Sequence, residues 1–185
     1  MLEPVQLAQP QIASRMTCPE SGVTGDLACG MRVTTTAYAS CGTVLAEMRA
    51  RVNAPADVWE DPHNNGTYTE GTFGETFLTT SRITGDGKYT DKQNFQLTET
   101  EGGVSCLIEA CSRSLVTSLY DEGTNYCNLK MLYCGSGDGC SPVNADGDFT
   151  VAPEQTEAFK NSNADLNDCF GTIWKDRHRV PGGLR

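Results

Sequence analysis

The sequence has no stretch that approaches the about 18 consecutive apolar residues that a transmembrane helix requires. Residues 1–16 also lack the basic start and the apolar run of a secretory signal peptide. We therefore expect a protein without a membrane span of its own, present here in a mature or trimmed form.

Zinc-binding spacing is missing as well. The sequence contains no Cys-x-x-Cys pair and only two histidines, His63 and His178. The segment Asn144–Asp148 resembles part of a calcium loop, but alignment on its glycine places Pro142 and Pro153 at the two ligand positions that should be acidic. These positions exclude an EF-hand and leave weak calcium binding by a turn as an alternative. We predict no metal site and no cofactor.

Catalytic motifs are also missing, since there is no Gly-Lys-Ser/Thr phosphate loop, no Gly-x-Ser-x-Gly and no His-Glu-x-x-His. His63 has carboxylates nearby, as a general base requires, yet the sequence identifies no nucleophile for it. His178 is interpreted as a surface residue of the C-terminal segment. We therefore predict that the protein has no catalytic residue and is not an enzyme.

The chain has 185 residues, which favours one domain, and only 38% of them are hydrophobic. Nine cysteines compensate for a thin core, because a structural disulfide contributes about 2–4 kcal/mol. Such density is typical of oxidising compartments outside the cytosol. The disulfide candidates are Cys18, Cys29, Cys41, Cys106, Cys111, Cys127, Cys134, Cys140 and Cys169.

The odd number of cysteines leaves at least one thiol unpaired, and the sequence does not determine the connectivity. If Asn125–Cys134 is helical, Cys127 and Cys134 are about 10 Å apart along the axis, beyond the about 7 Å that a disulfide tolerates. These two cysteines should then have different partners. The short loop to Cys140 makes Cys134–Cys140 one possible pairing.

Charge is unevenly distributed along the chain. The net charge of −10 argues against nucleic acids and anionic lipid surfaces as partners. The last eleven residues are instead basic, with Lys175, Arg177, Arg179 and Arg185. This end is either an ordinary solvated tail or a docking arm for an acidic surface. Residues 1–17 are read as an extended arm, 18–174 as one disulfide-rich domain and 175–185 as a basic arm.

The clearest helical periodicity lies in Thr34–Val52, where apolar residues recur every three or four positions. The members of this face are Tyr38, Cys41, Leu45, Met48 and Val52. Pro55 should end the helix, and Trp59 is interpreted as a core residue.

The segment Asp61–Gly74 is predicted to be a polar loop. It contains Asn65-Gly66-Thr67, an acceptor pattern for N-glycosylation that matters only if the chain is exported through the secretory pathway.

Strands are predicted over Thr76–Thr84, Tyr89–Thr100 and Val104–Thr117, separated by glycine-containing turns. Asp121–Gly135 is predicted to be a short helix or a tightly stapled turn, and Gln155–Cys169 is predicted to form a final short helix. These elements indicate an α+β fold in which a small antiparallel β-meander packs against one main helix and is stapled by disulfides.

The most distinctive part of the chain is Ser81–Cys140. Its characteristic segments are Gly85-Asp86-Gly87-Lys88-Tyr89-Thr90-Asp91-Lys92-Gln93, Thr124-Asn125-Tyr126-Cys127-Asn128-Leu129 and Leu132-Tyr133-Cys134-Gly135. They resemble a group of small cysteine-rich proteins of algae with complex plastids, and this resemblance implies a relation to lumenal accessory subunits of photosystem I. It covers about a third of the chain and assigns no functional residues.

We therefore expect a non-catalytic accessory subunit on the lumenal side of a membrane complex, with photosystem I as the first candidate. Its terminal arms are expected to contact the other subunits. Two alternatives remain, an exported lipocalin-like module that binds a small molecule and an exported hydrolase. The expected location is an oxidising extracytoplasmic compartment. The thylakoid lumen is favoured, and secretion is the alternative.

Overall fold

The computed structural model describes residues 16–23, 27–100 and 102–170. In chain order the elements are β1 (Gly30–Ala37), α1 (Cys41–Asn53), β2 (Thr67–Phe73), β3 (Phe77–Ile83), β4 (Thr90–Glu99), β5 (Cys106–Ser114), α2 (Thr124–Tyr133), a 3₁₀ turn (Ser136–Asp138), β6 (Gln155–Phe159) and α3 (Leu166–Cys169).

The described strands form an antiparallel sheet in the order β2-β3-β4-β5-β1-β6. Strands β2 to β5 are consecutive neighbours, and α1 and α2 pack against this sheet. The α+β, disulfide-stapled fold predicted from the sequence is confirmed.

The three strands predicted from the sequence correspond to β3, β4 and β5, with the expected turns between them. Gly87, Gly102 and Gly103 have φ values of 71°, 86° and 67°, a region that glycine enters without steric cost. The turn residues therefore fix where this part of the meander reverses.

The predicted helix over Thr34–Val52 is wrong at its start. Residues 34–37 belong to β1, and Tyr38 is 62% exposed instead of buried. Three consecutive threonines favour a strand, because branching at Cβ restricts their rotamers in a helix. The helix begins at Cys41. Ser40 is its N-cap, since the Ser40 side chain accepts a hydrogen bond from the Thr43 amide.

Two further segments differ from the prediction. The expected loop Asp61–Gly74 contains β2, whose Thr, Tyr and Phe residues suit a strand at the edge of the described sheet, paired with β3. The expected helix over Gln155–Cys169 consists instead of β6 and the four-residue α3. Pairing with β1 determines the conformation of 155–159, which shows little periodicity of its own.

The core lies between the helices and the inner face of the sheet. Cys41, Leu45, Met48 and Val52 of α1 are all buried, as their spacing predicts, and Trp59 is half-buried against the same core. Burial of a Leu or Met side chain contributes about 1.5–3 kcal/mol. The helix ends at Asn53, just before Pro55.

Eight cysteines form four disulfides. The pairs are Cys18–Cys111, Cys41–Cys106, Cys127–Cys169 and Cys134–Cys140. Cys127 and Cys134 have different partners, as predicted, and Cys29 is a buried free thiol. The bridges connect the N-terminal segment to β5, α1 to β5, and α2 to α3, and close the loop after α2.

The last two residues of the predicted N-terminal arm are in contact with the sheet. Arg32 donates a hydrogen bond to the Met16 carbonyl (2.8 Å) and Asn94 donates one to the Thr17 carbonyl (3.0 Å). Residues 1–15 of this arm lie outside the described residues. So do 171–174 and the basic arm 175–185, including His178.

No helix in the described part of the chain is long and apolar enough to cross a membrane.

The disulfide arrangement predicts the thiol content. Because Cys29 is the unpaired cysteine and is buried, the native protein should react slowly with a thiol reagent. The denatured, unreduced protein should expose one thiol per chain, measured by colorimetric titration in concentrated guanidinium chloride. A Cys29→Ser variant should expose none, and two or more thiols in the wild type would contradict the four bridges.

Candidate functional site

The inner face of the sheet changes from apolar to polar along the strands. Leu78 of β3, Phe95 of β4 and Ala110 of β5 are aligned across the sheet and buried. The next two aligned rows face the same side and are also buried, but they are polar. They consist of Thr80, Gln93 and Ser112, followed by Arg82, Asp91 and Ser114.

Helix α2 covers these polar rows. Asn125 accepts a hydrogen bond from the Ser112 hydroxyl (2.6 Å) and donates one to the Ser114 hydroxyl (3.0 Å). Asn128, one turn later, donates to Asp91 Oδ2 at 2.7 Å. Residues 125–133 of this helix are all buried, so Asn125 and Asn128 bond to the sheet instead of to solvent.

Four buried atoms of this cluster have no hydrogen-bond partner within the described residues. They are Arg82 Nη1, Asp91 Oδ1, Gln93 Nε2 and Asn128 Oδ1. Two are donors and two are acceptors, and burial raises the pKa of Asp91. Among the described residues, the cluster contains neither a nucleophile paired with a base nor a set of metal ligands.

A buried ion pair forms one corner of the cluster. Arg82 Nε donates to Asp61 Oδ2 at 2.6 Å, and both side chains are fully buried. The same guanidinium donates to the His63 carbonyl and to Asn64 Oδ1 (2.9 Å). Burial raises the pKa of Asp61, and Arg82 opposes this shift. The pair fixes the loop before β2 onto β3.

His63 lies beside this corner and connects the loop to two helices. Its Nδ1 is 3.1 Å from the Asp168 carbonyl oxygen, and its Nε2 is 3.2 Å from the Thr124 hydroxyl. A carbonyl can only accept, so Nδ1 carries the proton and Nε2 accepts from Thr124. Burial and the nearby Arg82 lower the pKa of His63 to about 4.

The His63–Thr124 pair has the connectivity of a base and a hydroxyl. A base with so low a pKa is weak at neutral pH, however, and the ring is buried. Through these contacts His63 joins the loop before β2 to the start of α2 and to α3. The absence of a catalytic role for His63 stays a prediction.

A second buried pair joins α1 to its surroundings. Glu47 and Arg51 are both fully buried, with 2.7 Å between Oε1 and Nε. Glu47 also accepts from the amides of Val143 (2.8 Å) and Asn144 (2.9 Å). Arg51 donates to the Cys134 carbonyl (2.7 Å) at the end of α2 and to the Met131 carbonyl within it.

The segment Asn144–Asp148 uses its polar groups within the protein. The Asn144 amide bonds to Glu47, and the Asp148 carboxylate accepts from the Ser136 amide and hydroxyl. These hydrogen bonds lower the pKa of Asp148. No group of three or more His, Cys, Asp or Glu side chains in the described ranges is arranged to hold a metal.

A third cluster lies on another side of α2. Lys130 is 3.0 Å from both Asp138 and Glu154, and Tyr126 and Tyr133 donate their hydroxyl protons to Glu154. Burial, together with Glu154, raises the pKa of both tyrosines. The cluster connects the helix to the segment that precedes β6.

Two surface cavities bear on the small-molecule alternative. A recess of about 160 Å³ is lined by residues of the loop before β2, including Trp59 and Asn65. An open groove of about 430 Å³ is lined by residues that include Thr79, Lys92 and Asn94. Neither is an enclosed apolar chamber, and the described sheet is open, with β2 and β6 at opposite edges.

Sequence reasoning missed the polar rows, although a signal was present. Asp91 and Gln93 alternate along β4 in the same phase as Phe95 and Leu97, which indicates one shared face. An apolar-only search for periodicity ignores such residues.

No protein-family model, curated protein or solved structure matches the chain. The resemblance to the algal proteins therefore stays a prediction.

The burial of His63 predicts a pH-dependent stability. The unfolded chain binds a proton at this histidine near pH 6.5 and the folded chain near pH 4. Stability should therefore fall as the pH decreases through this window, by up to about 3 kcal/mol from this residue. The measurement is denaturant unfolding of the wild type and His63→Gln across these pH values.

The difference between the two proteins isolates the histidine, because other buried groups titrate in both. Burial raises the pKa of Asp91 and Asp121, which gives their contributions the opposite sign. If the free energies of unfolding of the two proteins change in parallel with pH, the prediction that His63 is buried in its neutral form is wrong.

Proposed function

We propose that the protein is a non-catalytic accessory subunit on the lumenal side of a membrane protein complex. Photosystem I of algae with complex plastids is the first candidate, on the strength of the sequence resemblance. The structural observation that carries the proposal is a set of exposed apolar side chains on connections that are held rigidly to the body.

Four such side chains lie on two connections that are hydrogen-bonded to each other. Leu27, Val116, Leu119 and Tyr120, here called the Tyr120 patch, are 46%, 37%, 67% and 78% exposed. Leu27 is bonded to the β5–α2 connection, which carries the other three, because its carbonyl accepts from the Ser118 amide (3.1 Å). Exposed apolar groups of this kind are typical of protein–protein contacts.

The Tyr120 patch is preorganised. The Cys29 amide donates a hydrogen bond to the Ser118 hydroxyl (2.8 Å), and the Asn161 side chain donates one to the Leu119 carbonyl (2.7 Å). These bonds tie the connection to the start of β1 and to the segment after β6. A fixed apolar surface loses little conformational entropy on binding, and tyrosine is enriched among residues that dominate binding energy.

The buried polar groups support the same proposal indirectly. The polar rows, the Glu47–Arg51 pair and the Lys130 cluster point inward and connect elements to one another. Their role is to hold the shape of the body. The groups that remain for contacts with other molecules are then the Tyr120 patch and the charged surface residues.

The four disulfides are compatible with an oxidising extracytoplasmic compartment. Within that class, the proposal favours the thylakoid lumen over secretion. The acidic body and the basic arm 175–185 would then serve different neighbours, the arm binding an acidic surface.

The Tyr120 patch should be required for assembly. Leu119→Ser combined with Tyr120→Ser should reduce the amount of the protein that co-purifies with its membrane complex, because apolar area is lost from the contact. Affinity purification from the native organism with mass spectrometry measures this. Val104→Ser is the matched control, since Val104 is 72% exposed outside the patch. Equal recovery of both variants would contradict the proposed surface.

The basic arm should contribute an electrostatic part of the same association. Deleting Lys175–Arg185 should weaken co-purification and leave the disulfide-bonded body folded, and raised salt should reproduce part of the loss. A full-length variant with Lys175, Arg177, Arg179 and Arg185 all changed to Gln separates charge from length. Unchanged co-purification of both variants would show that the arm is an ordinary solvated tail.

A further inference from the structure

Asn65-Gly66-Thr67 is the only Asn-x-Ser/Thr triplet in the 185-residue sequence. N-linked glycans are bulky and hydrophilic, so a folded protein can carry one only on an asparagine side chain that faces solvent. The position of this triplet in the fold therefore decides whether the pattern can be a modification site.

The loop presents Asn65 outward while its neighbours are fixed inward. Asn64 accepts a hydrogen bond from Arg82 through its side chain (2.9 Å), and its carbonyl accepts from the Gly85 amide (3.2 Å). A Cβ at Gly66 would collide with the Arg82 guanidinium, so a side chain there would disturb the ion pair between Arg82 and Asp61. Asn65 and Thr67 are both exposed.

The surface beside Asn65 has room for a sugar ring. Asn65 lines the recess of about 160 Å³, and Trp59 and Tyr68 line it too. The two aromatic rings lie 6.2 Å apart, at 45° to one another. Aromatic faces offer apolar contact area with a polar edge, which suits the C–H face of a sugar.

We propose that Asn65 carries an N-linked glycan whose first sugar packs in the recess against Trp59. The donor is a lipid-pyrophosphate-linked oligosaccharide. A bond forms between the Asn65 amide nitrogen and the anomeric carbon as that carbon's bond to the pyrophosphate oxygen breaks. The amide loses one proton, and the lipid pyrophosphate leaves with the bonding electrons.

The glycan would also cover an exposed sheet edge. Thr67 is the first residue of β2, which forms one edge of the described sheet. Unpaired edge strands favour association with other chains, and proteins commonly cover them. The modification requires that the chain pass through the compartment where N-glycans are attached, whichever complex it later joins.

The first test is the mass of the peptide that contains Asn65, from protein isolated from its native source. We expect a peptide that carries hexose and N-acetylhexosamine and that peptide N-glycosidase converts to the unmodified sequence with aspartate in place of the asparagine. An unmodified peptide overturns the inference. Co-purification is measured separately on the same sample, so this result leaves the proposed accessory role to its own test.

A matched pair of variants tests the role of the hydroxyl. In the full chain expressed in its native organism, Thr67→Ser should keep the glycan, whereas Thr67→Ala and Asn65→Gln should lose it. Position 67 is exposed, so its replacement leaves the fold intact. Circular dichroism verifies this for all three variants. A glycan that persists in Thr67→Ala would overturn the assignment.

The packing against Trp59 has its own readout. Enzymatic removal of the glycan from the folded protein should lower the thermal midpoint of the wild type and change that of Trp59→Ala much less, because the contact is then already missing. An equal decrease in both proteins would overturn the packing of the sugar in the recess.

Discussion

The buried ion pair between Glu47 and Arg51 connects α1 to two other parts of the chain. Glu47 holds the loop that begins at Val143 through its amides, and Arg51 holds the end of α2 through the Cys134 carbonyl. Loss of one partner would leave a buried charge uncompensated, which costs about 3–5 kcal/mol. Since α2 in turn covers the sheet and bonds to α3 through Cys127, the positions of these elements depend on this pair.

Helix α2 is subject to the same requirement, that a buried polar or charged group has a partner within the protein. It is buried along nearly its whole length although it contains Asn125, Asn128 and Lys130, so each polar group needs a partner from the protein. The sheet supplies those partners on one side, and Glu154 and Asp138 supply them on the other. Hydrogen bonds thus determine the orientation of a helix whose apolar residues do not form a single stripe.

These contacts relate structure to the proposed role. The titratable groups that most resemble catalytic residues, such as His63, are occupied in joining elements. Apolar side chains such as Tyr120 remain exposed on a connection that hydrogen bonds hold in place. A rigid acidic body with a fixed apolar surface fits a subunit that recognises a partner by shape, which is the basis of the function proposed above.

The sequence by itself determined the α+β class, the β3–β5 strands with their glycine turns, the α1 face of Leu45 and Met48, and the disulfide-rich character. These features depend on local periodicity, turn residues and composition, which act over a few residues. Spacing along one helix also sufficed to separate the partners of Cys127 and Cys134.

Only the tertiary structure decided the rest. Residues 155–159 form a strand because β1 offers them an edge. The threonines at 34–36 all pair with β5, which stabilises the extended conformation that they favour. The polar rows follow from the strand register, which places Asp91 opposite Arg82, and from the packing of α2, which brings Asn128 within hydrogen-bond distance of Asp91. The physical reason is that pairing and burial of polar groups depend on residues distant in sequence, whose positions no local pattern specifies.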